Sequence, residues 1–334
     1  MARTLRYFPR ILMLLFFVAG GHLSMAQSVP ISNSGGMFHR PRVVLHAMDA
    51  GLNLHAIADL SSRLNVEPVA LGSAQKKVYQ FRSVDYPGAT RSGVWDYNGG
   101  TAVGSLSYPG NEGSGFYFHG NTYHFLNFPG AIESIAFGVN ASGHVVGGYY
   151  DSASKGHGFI YHGGKFTKLD APGSKYTEAR TITDDGVIVG DYVDSHNHQV
   201  GFVDRNGAFT TIAYPGVRIT ISTGINSSGE IVGSYFDHSN NVHGFLLSKG
   251  VYSSMDYPGA IGTYAFAIND AGEIAGGYYD ASDVEHGFTY SGGVFIQVDV
   301  PGAVSTELCR ITNDGDVTGF IEDGLGEDHG VIGH

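Results

Sequence analysis

Residues 215 to 258 read PGVRITISTGINSSGEIVGSYFDHSNNVHGFLLSKGVYSSMDYP and carry one whole period of a repeat. The period reads as four short strands, over residues 220–226, 230–236, 243–248 and 251–256. Asn226 to Gly229 supplies the first turn, with glycine where φ must be positive. A loop opened by Asp237 separates the second and third strands, and Lys249-Gly250 turns the chain into the fourth. Pro258-Gly259 ends it, because proline cannot continue a hydrogen-bond ladder.

The Pro-Gly pair recurs at Pro87, Pro129, Pro172, Pro215, Pro258 and Pro301, in steps of 42, 43, 43, 43 and 43 residues. Four strands in about 43 residues is the size of a β-propeller blade. One such sheet cannot bury both faces, whereas a ring of them can. The expected fold is therefore all-β, a six-bladed β-propeller over residues 77–334, with an open solenoid of the same repeats as the alternative. The smallest side chains follow Pro-Gly (Ala136, Ala179, Ser222 and Ala265, then Gly138, Thr181, Gly224 and Ala267), which places the innermost strand there. On this phase the sixth blade begins at Ala303 and lacks a fourth strand. Residues 78–85 form an extra strand of the fourth type, so they are expected to pair with residues 328–334 and close the ring.

The 334 residues include 50 glycines, 19 Lys plus Arg, 31 Asp plus Glu and one cysteine, Cys309. A 42% hydrophobic share supports a packed core. A single cysteine excludes an internal disulfide and a cysteine-based zinc cluster. The acidic balance disfavours nucleic acid as a partner. Arg3, Arg6 and Arg10 precede a nine-residue apolar run, Ile11 to Ala19, and Ser24-Met25-Ala26 supplies small residues at a cleavage site. Residues 1–26 therefore read as a signal peptide, too short in its apolar part to anchor in a membrane. Its removal would take the net charge from −12 to −15. Export to the periplasm or medium follows, with no membrane insertion afterwards. Residues 27–76 fall outside the repeat and read as a linker or extension, with an amphipathic pattern through Leu54, Ile57, Leu60 and Leu64.

At His157-Gly158-Phe159, His243-Gly244-Phe245 and His286-Gly287-Phe288 the repeat resembles the bacterial extracellular HAF-repeat family, with glycine in place of alanine. The resemblance covers residues 78–334 and includes the Ile-Asn-x-x-Gly turn. It implies an extracellular location and a repeat architecture, and it brings no activity. Ser114-Gly115-Phe116 and Val200-Gly201-Phe202 lack the histidine.

Asp151, Asp194, Asp237 and Asp280 open the loops that His157, His243 and His286 close, a pairing that could hold a metal or brace a hairpin. Repetition favours the brace, so neither metal nor other cofactor is expected. Departures from the repeat are more informative. Asp96 and Arg310 stand where four other repeats have small or neutral residues, and Arg180 is a further charge on an inner strand. Glu178, Tyr264 and Glu307 stand where two other repeats have isoleucine. These six residues are the candidate binding set. They are expected at the channel mouth on the face of the Pro-Gly and Tyr-x-Asp…His loops, where exposed Tyr150, Tyr235 and Tyr279 would stack on sugar rings. The Asp96–Arg310 pair could equally lock the seam. The expected role is a binding module for a glycan or another cell-envelope component. A glycan-degrading enzyme using carboxylates such as Glu178 and Glu307, or a protein-interaction scaffold, are the alternatives.

Overall fold

The computed structural model describes residues 77–334 apart from Gly110. The signal peptide, the linker and the amphipathic stretch all lie outside the described residues. Among the described residues there are 24 strands. A short strand comes first, β1 (Phe81–Val84). The first four-stranded unit is β2 (Arg91–Asn98), β3 (Thr101–Tyr108), β4 (Asn111–His119) and β5 (Thr122–Leu126). The second is β6 (Glu133–Val139), β7 (Val145–Tyr150), β8 (Gly156–His162) and β9 (Lys165–Leu169). The third is β10 (Tyr176–Ile182), β11 (Ile188–Val193), β12 (Gln199–Arg205) and β13 (Ala208–Ile212). The fourth is β14 (Ile219–Ile225), β15 (Ile231–Phe236), β16 (Val242–Ser248) and β17 (Val251–Met255). The fifth is β18 (Gly262–Ile268), β19 (Ile274–Tyr279), β20 (Glu285–Ser291) and β21 (Val294–Gln297). The last unit contributes β22 (Ser305–Ile311), β23 (Val317–Glu322) and β24 (Asp328–Gly333).

Each unit is an antiparallel meander. A single parallel pairing, Arg91 with Asp328 or Gln199 with Ile219, joins units in pairs, so the sheets contain eight, eight, four and four strands. The first strands stand side by side: β2 by β6, β6 by β10, β10 by β14, β14 by β18, β18 by β22, and β22 by β2. This is a β-propeller arrangement, with the strand after Pro-Gly innermost. β1 pairs antiparallel with β24, from Phe81 opposite Gly333 to Val84 opposite Gly330.

Every first strand carries a bulge, as between Ser222 and Gly224. The bulge pushes a carbonyl towards the second strand, and this explains the glycine there. A Cβ on Gly233 would lie 2.0 Å from the Ile221 oxygen and 2.8 Å from the Phe245 ring. The Phe of the His-Gly-Phe motif covers this glycine, and Phe116, Phe159, Phe202, Phe245 and Phe288 are all fully buried. Each such ring contributes roughly 1.5–3 kcal/mol by leaving water. The Gly of the same motif admits the neighbouring unit: a Cβ on Gly244 would meet the Met255 oxygen at 2.9 Å and Ala265 at 3.5 Å. The motif is thus a packing device.

The tyrosines expected to be exposed are not. Tyr235 is buried in a stack, 3.7 Å from the Tyr214 ring and 5.0 Å from the His243 ring. Tyr150 is buried beside Tyr176, and Tyr279 is half-buried beside Tyr264. Aromatic faces at these positions are consumed by packing between loops and strands.

Candidate functional site: a cavity at the inner-strand turns

The turns after the first strands are built by asparagine. Asn226 Oδ1 accepts from the backbone N–H of Ser228 and Glu230, at 3.1 and 3.0 Å, which closes the turn. Its Nδ2 donates to the Asn269 carbonyl of the next unit at 3.3 Å. Asn140 does the same to Thr183, and Asn269 to Thr312, both at 3.1 Å. A second latch accompanies each: Ala141 N–H to Asp184, Ser227 N–H to Asp270, and Asp270 N–H to Asn313, at 2.7 to 2.9 Å.

These turns surround a cavity of about 520 Å³. Buried Ile182, Ile225, Ile268 and Ile311, from the last positions of four first strands, line its depth, with half-buried Tyr97 beside them. Asp184, Asp185, Asp270 and Asp314, all exposed, stand around the opening with Arg205 and Arg310. The volume lies in the range of small-molecule sites. An apolar depth under a rim of carboxylates, carboxamides and guanidinium groups suits a ligand with apolar faces and several hydroxyls.

The six sequence-selected residues divide. Arg310 lines the cavity. Its Nε lies 2.9 Å from Asp96 Oδ1, although its N–H is not aimed for a hydrogen bond, so the contact is an ion pair. Asp96 is buried and accepts from the N–H of Tyr97 at 2.7 Å and of Val139 at 3.0 Å. Burial raises its carboxyl above the ordinary range, against the opposing pull of Arg310. The pair links the last unit to the first, and the Val139 bond continues it to the second.

Glu178, Arg180, Tyr264 and Glu307 are buried in the interior and do not line the cavity. Arg180 occupies the bulge of β10 and binds Glu178 Oε2 and Asp191 Oδ1, each at 2.5 Å. Gln199 donates to the other Asp191 oxygen at 2.5 Å. Arg180 also lies over the Phe137 ring, 5.2 Å from its centre. Burial alone would weaken the Arg180 charge, but Asp191 and Glu178 outweigh it and hold the guanidinium protonated. Tyr264 and Cys309 both have their pKa raised, first by burial and then by nearby glutamates, including Glu307.

The cavity opens at the end of the first strands opposite to the Pro-Gly loops. Trp95 and Phe137 contact each other at the bulges, with ring centres 5.4 Å apart, and Arg180 covers Phe137, so the middle of the axis is packed. The signal for the cavity was present as breaks in the turn motif, Thr183 and Thr312 in place of asparagine.

The Asp…His loops show brace geometry. His243 lies 2.8 Å from Asp256 and 3.6 Å from Asp237, and His286 lies 2.9 Å from Asp299 and 3.6 Å from Asp280. His157 and His329 repeat the arrangement, with Asp170 and Asp151, and with Asp85 and Asp323. Asp323, Glu327 and His329 could each offer one metal-ligand atom within 4.8 Å of the others. Asp323 is already capped by the N–H groups of Leu325 and Glu327. No helix among the described residues is long and apolar enough to cross a membrane.

No protein-family profile matches the chain, and no curated protein matches it. Among solved structures, AofleA from Arthrobotrys oligospora aligns with a TM-score of 0.50 at 12% identity, covering 78% of this chain and 88% of that one. A triple mutant of AofleA gives the same TM-score and coverage at 14% identity. A fungal lectin from Aleuria aurantia, reported as a six-bladed β-propeller with a novel fucose recognition mode, gives 0.45 at 11% identity, covering 74% and 92%. At such identities the likeness concerns the fold alone.

Proposed function

We propose that this chain is a secreted or periplasmic six-bladed propeller of the HAF-repeat kind, which binds a glycan or another component of the cell envelope. In this reading β1 and β24 complete the sixth blade between them, and the leader at residues 1–26 is cleaved on export. One observation carries the binding role: the cavity of about 520 Å³, with isoleucines in its depth and Asp, Asn and Arg at its opening. Sugar hydroxyls can donate to the carboxylates and accept from Asn and Arg, while the apolar face of a ring packs on isoleucine and Tyr97. The catalytic alternative would draw on Glu178 and Glu307, which are both buried away from the cavity. A glycan array together with a reducing-sugar release assay on the purified mature protein tests the reading. Retention of defined glycans without sugar release supports a binding module. Release of reducing ends would transfer the case to the enzyme, and an empty array would end the glycan reading.

A further inference from the structure

The turn latches are not uniform around the face. They join the second unit to the third, the fourth to the fifth, and the fifth to the sixth. Among the described residues neither latch joins the third-unit turn to the fourth. Two substitutions within the repeat account for this. Thr183 stands where the sister turns have Asn140, Asn226 and Asn269. Its hydroxyl still accepts from the Val187 N–H at 2.9 Å, so the turn is capped, but threonine has no carboxamide to reach the next unit. Ser227 stands where the sister turns have Asp184, Asp270 and Asn313, and its short side chain accepts nothing from the Asp184 N–H.

The cavity includes that gap. Its lining includes Asp185, Val187 and Arg205 on one side and Ser227 and Gly229 on the other. Arg205 ends the third strand of its unit and is exposed, so the cavity runs outward from the first strands instead of stopping at them. On the far side it reaches Asn98 and Asp314, at the boundary of the last and first units, where Thr312 again replaces asparagine. The lining thus forms a trough that runs from the third unit through the fourth, fifth and last units to the first.

We infer that the trough takes a neutral oligosaccharide in place of a single sugar, and that the cleft between the turns at 183–187 and 226–229 is the subsite for its extension. This rests on the glycan-binding reading above and specifies its ligand. A chain laid in the trough keeps one part over the isoleucines and Tyr97, while its extension passes Asp185 and Ser227 towards the guanidinium of Arg205. Along that path hydroxyls can donate to Asp185 and accept from Arg205. Each additional sugar residue held by such bonds is expected to tighten binding by about tenfold at best.

The test uses an array of neutral oligosaccharides of one to eight residues, read as affinity against chain length. Wild-type protein should bind the longer members at least about tenfold more tightly than their monosaccharides. Thr183→Asn with Ser227→Asp installs the two latches with the sister turns' own residues. This double variant should keep or raise the melting temperature and lose most of the gain with length. Arg205→Ala, at an exposed position that spares the core, should lose the same gain with length. Wild-type affinity independent of length, or long oligosaccharides bound normally by both variants, would overturn the subsite and leave glycan binding standing. A wild-type protein that binds no member of the array would overturn both.

Discussion

Alanine at Gly233 would bring a Cβ to 2.0 Å from the Ile221 carbonyl, against backbone that cannot swing away. Gly233→Ala is therefore expected to cost about 3 kcal/mol, the upper end of ordinary substitutions, as measured by denaturant unfolding. The second residue-level case is the ion pair between Arg310 and Asp96. Asp96 is 1% exposed. Arg310→Ala would strand its charge and should cost about 3 kcal/mol or more, whereas Asp96→Asn combined with Arg310→Gln should cost much less. A double variant no more stable than Arg310→Ala alone would show that the pair does not lock the seam. The Asp96–Arg310 relation was legible in the sequence because it breaks a repeat at one position. The burial of Glu178, Tyr264 and Glu307 was not legible, since a period gives the position along a strand but not how much bulk the bulges add around it.

Among elements, β1 has the largest consequence for its length. Its four residues pair with β24, and Asp85 just beyond it sits 3.2 Å from His329 Nδ1. Deleting residues 77–86 would expose the outer edge of β24 and should sharply lower the melting temperature. The same contact gives a pH dependence. Burial would lower the His329 pKa, but Asp85 and Asp323 outweigh it and hold it above 6.5. Its contribution is complete below about pH 6.5 and is lost as pH rises through the folded value. The wild type should therefore lose more stability than His329→Gln between pH 6 and 8.5. Equal losses would remove His329 as the cause. The loop carboxylates act in the opposite sense. Hydrogen bonds from Asn241, with others, hold Asp237 at about 2. Its contribution is complete above the ordinary value of 3.8 and fades as pH falls towards 2. The fourth-unit strands were readable from turn residues and alternation to within one residue, whereas the strand expected over residues 78–85 is Phe81–Val84. The direction in which the cavity opens was not, because Asn-x-x-Gly reads the same whether the turn braces a neighbour or borders a ligand.

For the whole molecule, repetition builds the scaffold and its lapses border the cavity. Fully buried phenylalanines in five units, strand-two glycines in six and aspartate–histidine braces in four keep the repeat's register, and none of them needs a ligand to explain it. Thr183, Ser227 and Thr312 leave the period where the cavity lies. The central claim is that binding occurs in this cavity, at the end of the first strands away from the Pro-Gly loops. Hydrogen–deuterium exchange with and without an array-positive oligosaccharide tests it most directly. The account predicts slower exchange at residues 182–187, 225–229, 268–270 and 311–316, with the Pro-Gly loops unchanged. Protection confined to the Pro-Gly loops and the Asp…His loops would contradict it.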